Sequence, residues 1–435
     1  MTRVHLPPSI QVLERGWLSA NNVLLFDGGT ASLIDSGYVS HAGQTVALLR
    51  EALAGRRLAR LLNTHSHSDH IGGNAAVQRA FGCTIGVPAG IAPAVAAWDE
   101  AALLLSVADQ RGERFKADHH LAAGERLQMG GFEWQALAAP GHDMDALVFH
   151  APDARGLISG DALWRNGFGI LFAEVIGEGG GLEAARATLE ALARLSVDWV
   201  IPGHGAPFVE VDEAFEAAFA RLRYLEEDGA RIARNAIRAC VTFWLLERRR
   251  VALDDLPAHL ASVPLYREAN RRFLGLSPEA LAGWLADLGF ACEIQEVAPG
   301  KANLLATFGV TLESQPAATA QALGLRVQEG SSITIRQVLR GSPAEQAGMM
   351  AGDEWYGIEI NAGHGPQGWR IGTLDELALY TPPGSALTAL IARDKQLLRL
   401  PLQLPPAANQ PLSNVQLRTS DNTQLTQWLP NVSPV

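Results

Sequence analysis

An α/β (α+β) fold is predicted for this 435-residue sequence: an αββα sandwich, then a helical segment, then a small β-rich domain. Three observations carry that expectation. Over residues 10–210 short β-rich runs alternate with Ala/Leu-rich helical ones, the pattern of paired sheets with helices on both outer faces. Residues 211–290 are helix-forming almost throughout, and from about 301 the composition turns back to β. The length also exceeds what one ordinary domain uses. The expected boundaries are 1–210 for the sandwich, 211–300 for the helical and winged-helix-like segment, 301–405 for the β-rich domain and 406–435 for a C-terminal extension.

Each element has a local reason. NVLLFDGGTASLIDSG (22–37) is two apolar runs divided by Asp27-Gly28-Gly29, a hairpin signature. GQTVALLREALAG (43–55) has helical periodicity and stops at Gly55. RLARLLNT (57–64) is strand-like and runs straight into THSHSDHIGGN. A helix (AAVQRAFG), a short strand (CTIGVP) and a longer helix near 92–109 follow. Further strands are expected at 132–139, 146–150, 156–160 and 198–201, with a helix at 182–195. SPEALAGWLADLGF (277–290) opens on Ser-Pro and closes at Gly289, as a capped helix does.

Composition narrows the function classes. A net charge of −11 argues against a nucleic-acid partner, because neutralising phosphates needs clustered Lys and Arg. No run approaches the length of a membrane span, and the N-terminal stretch has no apolar core segment, so a cytoplasmic protein without a membrane partner is expected. Cys83, Cys240 and Cys292 are far apart and in apolar surroundings, which fits neither a disulfide framework nor a zinc-thiolate site.

The chemistry is concentrated in a few turns. His65 and His67 lie two apart at the end of a strand, so their side chains leave the same face. Asp69 and His70 follow where the chain turns into a helix beside Gly72 and Gly73. APGHD (139–143), ISGDALW (158–164) and IPGHG (201–205) each place one more ligand-type residue on a glycine turn after a strand: His142, Asp161 and His204. A dinuclear site needs six or seven N/O ligands gathered from strand ends, one of them a bridging carboxylate. His65, His67 and His142 would hold one ion, Asp69, His70 and His204 the other, and Asp161 would bridge. All-N/O ligation suits two divalent metal ions, Zn²⁺ first, with Mn²⁺ or Fe²⁺ compatible. Two ions about 3.5–4 Å apart could hold a bridging hydroxide for attack on an acyl or phosphoryl centre. Asp69, beside the bridge, would orient that nucleophile, making Asp69 and Asp161 the candidate catalytic residues. Trp164, Asn166 and Phe168 follow the bridging Asp on a glycine-containing loop and are expected to line the substrate pocket.

This H-x-H-x-D-H run, followed by Gly-His, Gly-Asp and Gly-His, resembles the metallo-β-lactamase superfamily, in particular its glyoxalase-II-like dinuclear branch, over roughly residues 10–210. The resemblance implies a metal-dependent hydrolase of a small ester, thioester or related acyl compound. It also implies that Asp35, in LIDSG, holds the metal-bearing loops from behind. Two departures stand out. Gly205-Ala206-Pro207 follows the last His where thioesterases acting on glutathione conjugates have Glu-Tyr-Thr, and Asp143-Met144-Asp145 replaces Thr-Pro-Gly after the middle His. The ligand set carries over; glutathione recognition does not.

In the third segment, VLRGSPAEQAGMMAGDEWYGI resembles a PDZ domain of bacterial proteases, within a stretch similar to the C-terminal part of glycyl-aminopeptidase-type proteins. Leu323-Gly324-Leu325 matches the loop that captures a peptide or protein C-terminus in such modules. Three other functions compete with the hydrolase. A persulfide dioxygenase of the same fold would use one iron. A nuclease is disfavoured by the acidic balance. A binding protein centred on the PDZ-like module would leave the ligand set idle.

Overall fold

In the computed structural model, residues 4–248, 250–252, 256–287, 292–298, 301–306, 310–313, 320, 322–328, 333–361, 366–374, 377, 381, 384–393, 396–405 and 416–419 are described. They fall into two units, one reaching to Val310 and the other spanning Thr311–Arg418.

The first unit begins with a six-stranded sheet in sequential order: β1 (Ile10–Leu13), β2 (Asn22–Asp27), β3 (Thr30–Ile34), β4 (Arg57–Leu62), β5 (Thr84–Pro88) and β6 (His119–Leu121). β1, β2 and β3 pair antiparallel, and β3 to β6 pair parallel. The parallel crossovers carry α1 (Ala42–Leu53), α2 (Ser68–Ile71), α3 (Asn74–Phe81) and α4 (Ala92–Ala97). A second sheet holds β7 (Arg126–Met129), β8 (Phe132–Ala138), β9 (Leu147–Ala151), β10 (Gly156–Gly160) and β11 (Trp199–Pro202), with only the β10–β11 pair parallel.

Side-chain alternation builds the layers. Val23, Leu25, Ile34 and Leu62 point between the sheets and meet Trp134, Phe149, Ile158 and Ile201. Leu24, Leu33, Leu58 and Leu61 point the other way and are covered by Leu49, Leu53 and Val77 of the helices. The outer face of the second sheet, Val148, Leu157 and Val200, is covered by α5 (Phe172–Ile176), α6 (Gly181–Leu192) and the later helices. The expected sandwich with helices on both outer faces is therefore the architecture observed.

The helical stretch contains α7 (Val211–Glu226), α8 (Gly229–Arg248), α9 (Leu256–Ser262), α10 (Pro264–Ala269) and α11 (Pro278–Asp287). Its apolar residues, among them Leu222, Ile237, Leu245, Tyr266 and Leu281, lie in the same cluster as Val148, Leu157 and Val200. It shares its core with the second sheet. A polar clasp adds to this. Tyr38 Oη donates to Glu247 of α8 at 3.1 Å, and Arg111 pairs with the same carboxylate. A three-stranded sheet of β12 (Arg250–Ala252), β14 (Lys301–Ala306) and β13 (Cys292–Ala298) closes the unit.

One expected element is shorter than its sequence suggests. The helix near 92–109 ends at Ala97, where Trp98 turns left-handed at φ 57°. Asp99 Oδ1 then accepts from the backbone N–H of Ala101 and Ala102, and the chain continues in turns to Asp109. A side chain that satisfies nearby backbone donors competes with helix, and here it wins.

In the second unit, β15 (Val310–Glu313) precedes a sheet ordered β16 (Leu325–Gln328), β17 (Ile333–Val338), β18 (Glu354–Asn361), β20 (Ala386–Arg393), β21 (Gln396–Gln403). β19 (Pro366–Arg370) also pairs with β18, and β22 (Gln416–Thr419) pairs with β15. α12 (Pro343–Gln346) is N-capped by Ser342, whose Oγ accepts from Glu345 N at 3.2 Å. Ile333, Ile335, Trp355, Ile358 and Ile391 form its core. Leu323 and Leu325 are buried in it, and Gly324 between them takes φ +72°.

Candidate metal centre

All the ligand-type residues leave the C-terminal ends of strands on one edge of the sandwich. Asp35 ends β3, the His65–His70 run follows β4, and His142 follows β8. Asp161 follows β10 and His204 follows β11. The turns must be glycine for reasons of space. A Cβ on Gly203 would lie 2.1 Å from Asp161 Oδ1, and one on Gly169 would lie 2.3 Å from His142 Nδ1.

The structure brings all seven expected ligand residues together, each 8% exposed or less. They form two groups, His65/His67/His142 and Asp69/His70/Asp161/His204, with the donor atoms of each group within 4.8 Å of one another. Asp161 lies between the groups. Its Oδ2 is 3.4 Å from His142 Nε2 and 3.7 Å from His204 Nε2, and its Oδ1 is 3.5 Å from His70 Nε2. His204 Nε2 is 2.9 Å from Asp69 Oδ2, and His67 Nδ1 is 2.8 Å from His142 Nε2. Two imidazole nitrogens that close need a proton or a cation between them.

The outer hydrogen bonds decide which nitrogen each ring offers. Thr64 Oγ1 donates to Asp35 at 2.8 Å and so accepts from His65 Nδ1 at 3.0 Å, leaving His65 Nε2 with its lone pair. His70 Nδ1 donates to Asp35 Oδ2 at 2.8 Å, and His142 Nδ1 donates to the Ile170 carbonyl at 2.6 Å. Three rings therefore present Nε2 inward. The inward nitrogens of His65 and His70 are sealed from solvent and have no hydrogen-bond partner. Orphaned, inward-facing imidazole nitrogens beside two carboxylates fit a pair of divalent cations.

The electrostatics agree. Burial, then the neighbouring imidazoles, pushes His65 well below the ordinary histidine range, and burial with His142 lowers His67 to about 4. Burial likewise lowers His142. This group is neutral, the form that ligates. In the other group burial opposes charge, yet Asp35, Asp161 and Asp69 together raise His70 well above its usual value. Burial also disfavours ionised Asp161, but His204 and His70 hold it well below the carboxylate range. The second group thus concentrates negative charge where a cation would sit.

Asp35 is the hub behind the site. It accepts from Thr64 N at 2.9 Å as well as from Thr64 Oγ1 and His70 Nδ1, and its own backbone is left-handed at φ 57°. Asn also tolerates that conformation, so Asp35→Asn removes charge and an acceptor without backbone strain. The expected result is a loss of metal affinity of about 10- to 100-fold, measured by chelator competition. Unchanged affinity would remove Asp35 from the site's support.

Of the residues expected to line the pocket, Trp164 touches the centre. Its Nε1 donates to Asp161 Oδ1 at 3.1 Å, and its ring stands edge-on to His204. Phe168 instead lies in the apolar core under Arg221, and Asn166 is exposed. Sequence reasoning missed the other walls. Trp17 stacks on His204 with ring centroids 5.1 Å apart, Phe243 of α8 meets the same ring at 6.3 Å, and Phe172 meets His67 at 4.8 Å. Asp143 receives Ser66 N and Oγ and sits 4.0 Å from His67 Nε2, behind the ring.

Residues 15–204, under half of the chain, match the Metallo-beta-lactamase superfamily model. Among curated relatives, the chain is similar to hydroxyacylglutathione hydrolases. That of Cereibacter sphaeroides is 31% identical over 184 residues, 42% of this chain and 60% of the relative. That of Hyphomonas neptunium is 29% identical over 148 residues, 31% of this chain and 50% of the relative. The chain spans about half the length of the curated relatives it matches. Among solved structures, a metallo-beta-lactamase family protein from Thermus thermophilus is 19% identical with a TM-score of 0.42, covering 69% of this chain and 100% of that one. A subclass B3 metallo-beta-lactamase of Bradyrhizobium japonicum is 19% identical with a TM-score of 0.40, covering 53% and 94%.

Proposed function

We propose that the chain is a dinuclear metallo-hydrolase acting on a small acyl compound, an ester or thioester. The observation that carries this reading is the position of Asp161, one carboxylate within 3.7 Å of ligand nitrogens from both groups. His65, His67 and His142 would hold one divalent cation, Asp69, His70 and His204 the other, with Zn²⁺ the first expectation for imidazole–carboxylate ligation. When bound, such a pair supplies Lewis acidity and a water acidic enough to attack at neutral pH.

The chain's own residues do the rest. Asp69, whose Oδ2 lies 2.9 Å from His204 Nε2, would orient the attacking water and hold its proton. Trp17, Trp164, Phe172 and Phe243 wall the centre with apolar surface. That surface excludes bulk water and favours an apolar acyl group. Metal analysis tests the reading: two metals per chain with turnover of acyl thioesters support it, and a single iron with persulfide oxidation overturns it.

The relatives' name points to glutathione thioesters, but Gly205-Ala206-Pro207 follows His204 here. Turnover of S-lactoylglutathione is therefore expected to be poor beside smaller thioesters, in kcat/KM. Turnover near the diffusional ceiling of about 10⁸ M⁻¹s⁻¹ would place glutathione recognition elsewhere in the chain.

For the rest of the chain, the helices and three-stranded sheet over 229–306 fit a winged-helix reading. We assign the second unit a PDZ-like role in which the Leu323–Leu325 loop receives a peptide C-terminus. The buried Leu323 and Leu325 side chains would leave recognition there to backbone N–H groups.

A further inference from the structure

Arg221 lies on the buried face of α7 with Phe215, Ala218 and Leu222, and is 3% exposed. Among the described residues it makes no hydrogen bond or ion pair, and its Nε is sealed from solvent. Its guanidinium carbon sits 5.4 Å from the Phe168 ring centroid. Burial, and then the nearby charge of Arg238 on α8, pushes the Arg221 guanidinium down to about 10. In a chain of net charge −11, no carboxylate among the described residues answers the buried Arg221. A buried charge without an opposite partner is strongly destabilising, and proteins keep one where a ligand supplies the counter-charge.

The position says which ligand. Arg221 Cδ packs so closely on the loop after Asp161 that a Cβ on Gly167 would lie 2.6 Å from it. Gly167 closes a turn with Trp164, whose backbone N–H donates to the Gly167 carbonyl at 2.6 Å. The Trp164 indole in turn donates to Asp161 at 3.1 Å. A single turn therefore has Arg221 against one side and the bridging carboxylate against the other.

We propose that Arg221 binds an anionic group, a carboxylate or phosphate, carried by the substrate away from its scissile bond. The site would make the enzyme selective for anionic acyl compounds. This rests on the hydrolase reading above. Arg presents a planar fork of donors suited to both anions, and burial strengthens the pairing.

The test compares the metal-loaded full chain with Arg221→Met, which keeps the aliphatic bulk and removes the charge. Two acetyl thioesters serve as substrates, one of neutral N-acetylcysteamine and one of 3-mercaptopropionate. Wild type is expected to prefer the anionic thioester, and Arg221→Met to lose about 10- to 100-fold of that preference in kcat/KM, the size of a lost charge-assisted hydrogen bond. The loss should appear mainly in KM, because the anion takes no part in bond cleavage. An equal preference in both proteins would overturn the site. The second arm needs no turnover. Inorganic phosphate should raise the Tm of wild type more than that of Arg221→Met, and equal shifts would overturn the proposal. If wild type hydrolyses neither thioester, the hydrolase reading fails while the phosphate arm still decides the anion site. Removing an unanswered buried charge should not lower the Tm in the absence of anion. Should Arg221→Met fail to fold, Arg221→Lys, which keeps the charge and loses the fork, must show a reduced preference in both arms.

Discussion

Asp161→Ala is expected to abolish turnover and to lower bound metal below two per chain. Substitutions behind a metal ligand already cost about 10- to 100-fold, and this one removes the carboxylate that faces both groups. His142, His204 and His70 all approach Asp161 within 3.7 Å. Without that negative charge two adjacent cations would repel each other with nothing between them. The measurements are metal content after gel filtration and kcat/KM on an acyl thioester. Asp161→Ala with two metals and full activity would refute the bridging role. Stability is a separate readout, since the residue also accepts from Trp164 at 3.1 Å.

The second large effect is expected from a single methyl group. Gly203→Ala places a Cβ 2.1 Å from Asp161 Oδ1, 3.0 Å from His70 Cε1 and 3.1 Å from the Gly160 carbonyl carbon. Gly203 is absent from the residues with positive φ, so backbone strain is not the cause. Something in the centre must shift, and it is either the Asp161 carboxylate or the Gly203–His204 turn after β11. Overpacking of this kind typically costs about 1–3 kcal/mol of stability, which a domain of this size survives. Catalysis should suffer far more, because a displacement near 1 Å can cost about 100-fold. The expected outcome is a folded protein with a modestly lower Tm and a loss of at least that size in kcat/KM. Full activity would show that the 203–204 turn does not set the geometry of Asp161.

The candidate ligands were legible in the sequence because metal chemistry restricts residue type and because several sit on a glycine turn after a strand. His65 to His70 met the first condition, His142, Asp161 and His204 met both, and the structure places them side by side. Trp17, Phe172 and Phe243 met neither. An aromatic residue in an apolar run has the same signature whether it packs a core or walls a site, and Phe243 lies well beyond His204, in a helix with no chemical motif. Phe168 shows the converse. Its place after Asp161 suggests the pocket, but the loop turns at Gly167 and sends the ring into the core under Arg221. The sandwich could be read because period-2 alternation survives in strands such as β2, where Leu24 faces the helices while Val23 and Leu25 face the other sheet. The helix at 92–109 could not, since its apolar spacing is helical and only Asp99's side chain interrupts it.

The shared core of α7 to α11 with the second sheet bears on how this chain can be inherited or re-engineered. The superfamily match stops at residue 204, which invites treating everything after it as an accessory. Yet Phe243 closes over a ligand histidine, and Glu247 is clasped by Tyr38 and Arg111 from the front of the chain. A gene split, fused or recombined at 210 would deliver a sheet covered on its outer face by α5 and α6 alone and a candidate metal centre missing a wall. The smallest portable piece ends near Val310, and homologues that exchange their back halves would be expected to exchange substrate preference along with them.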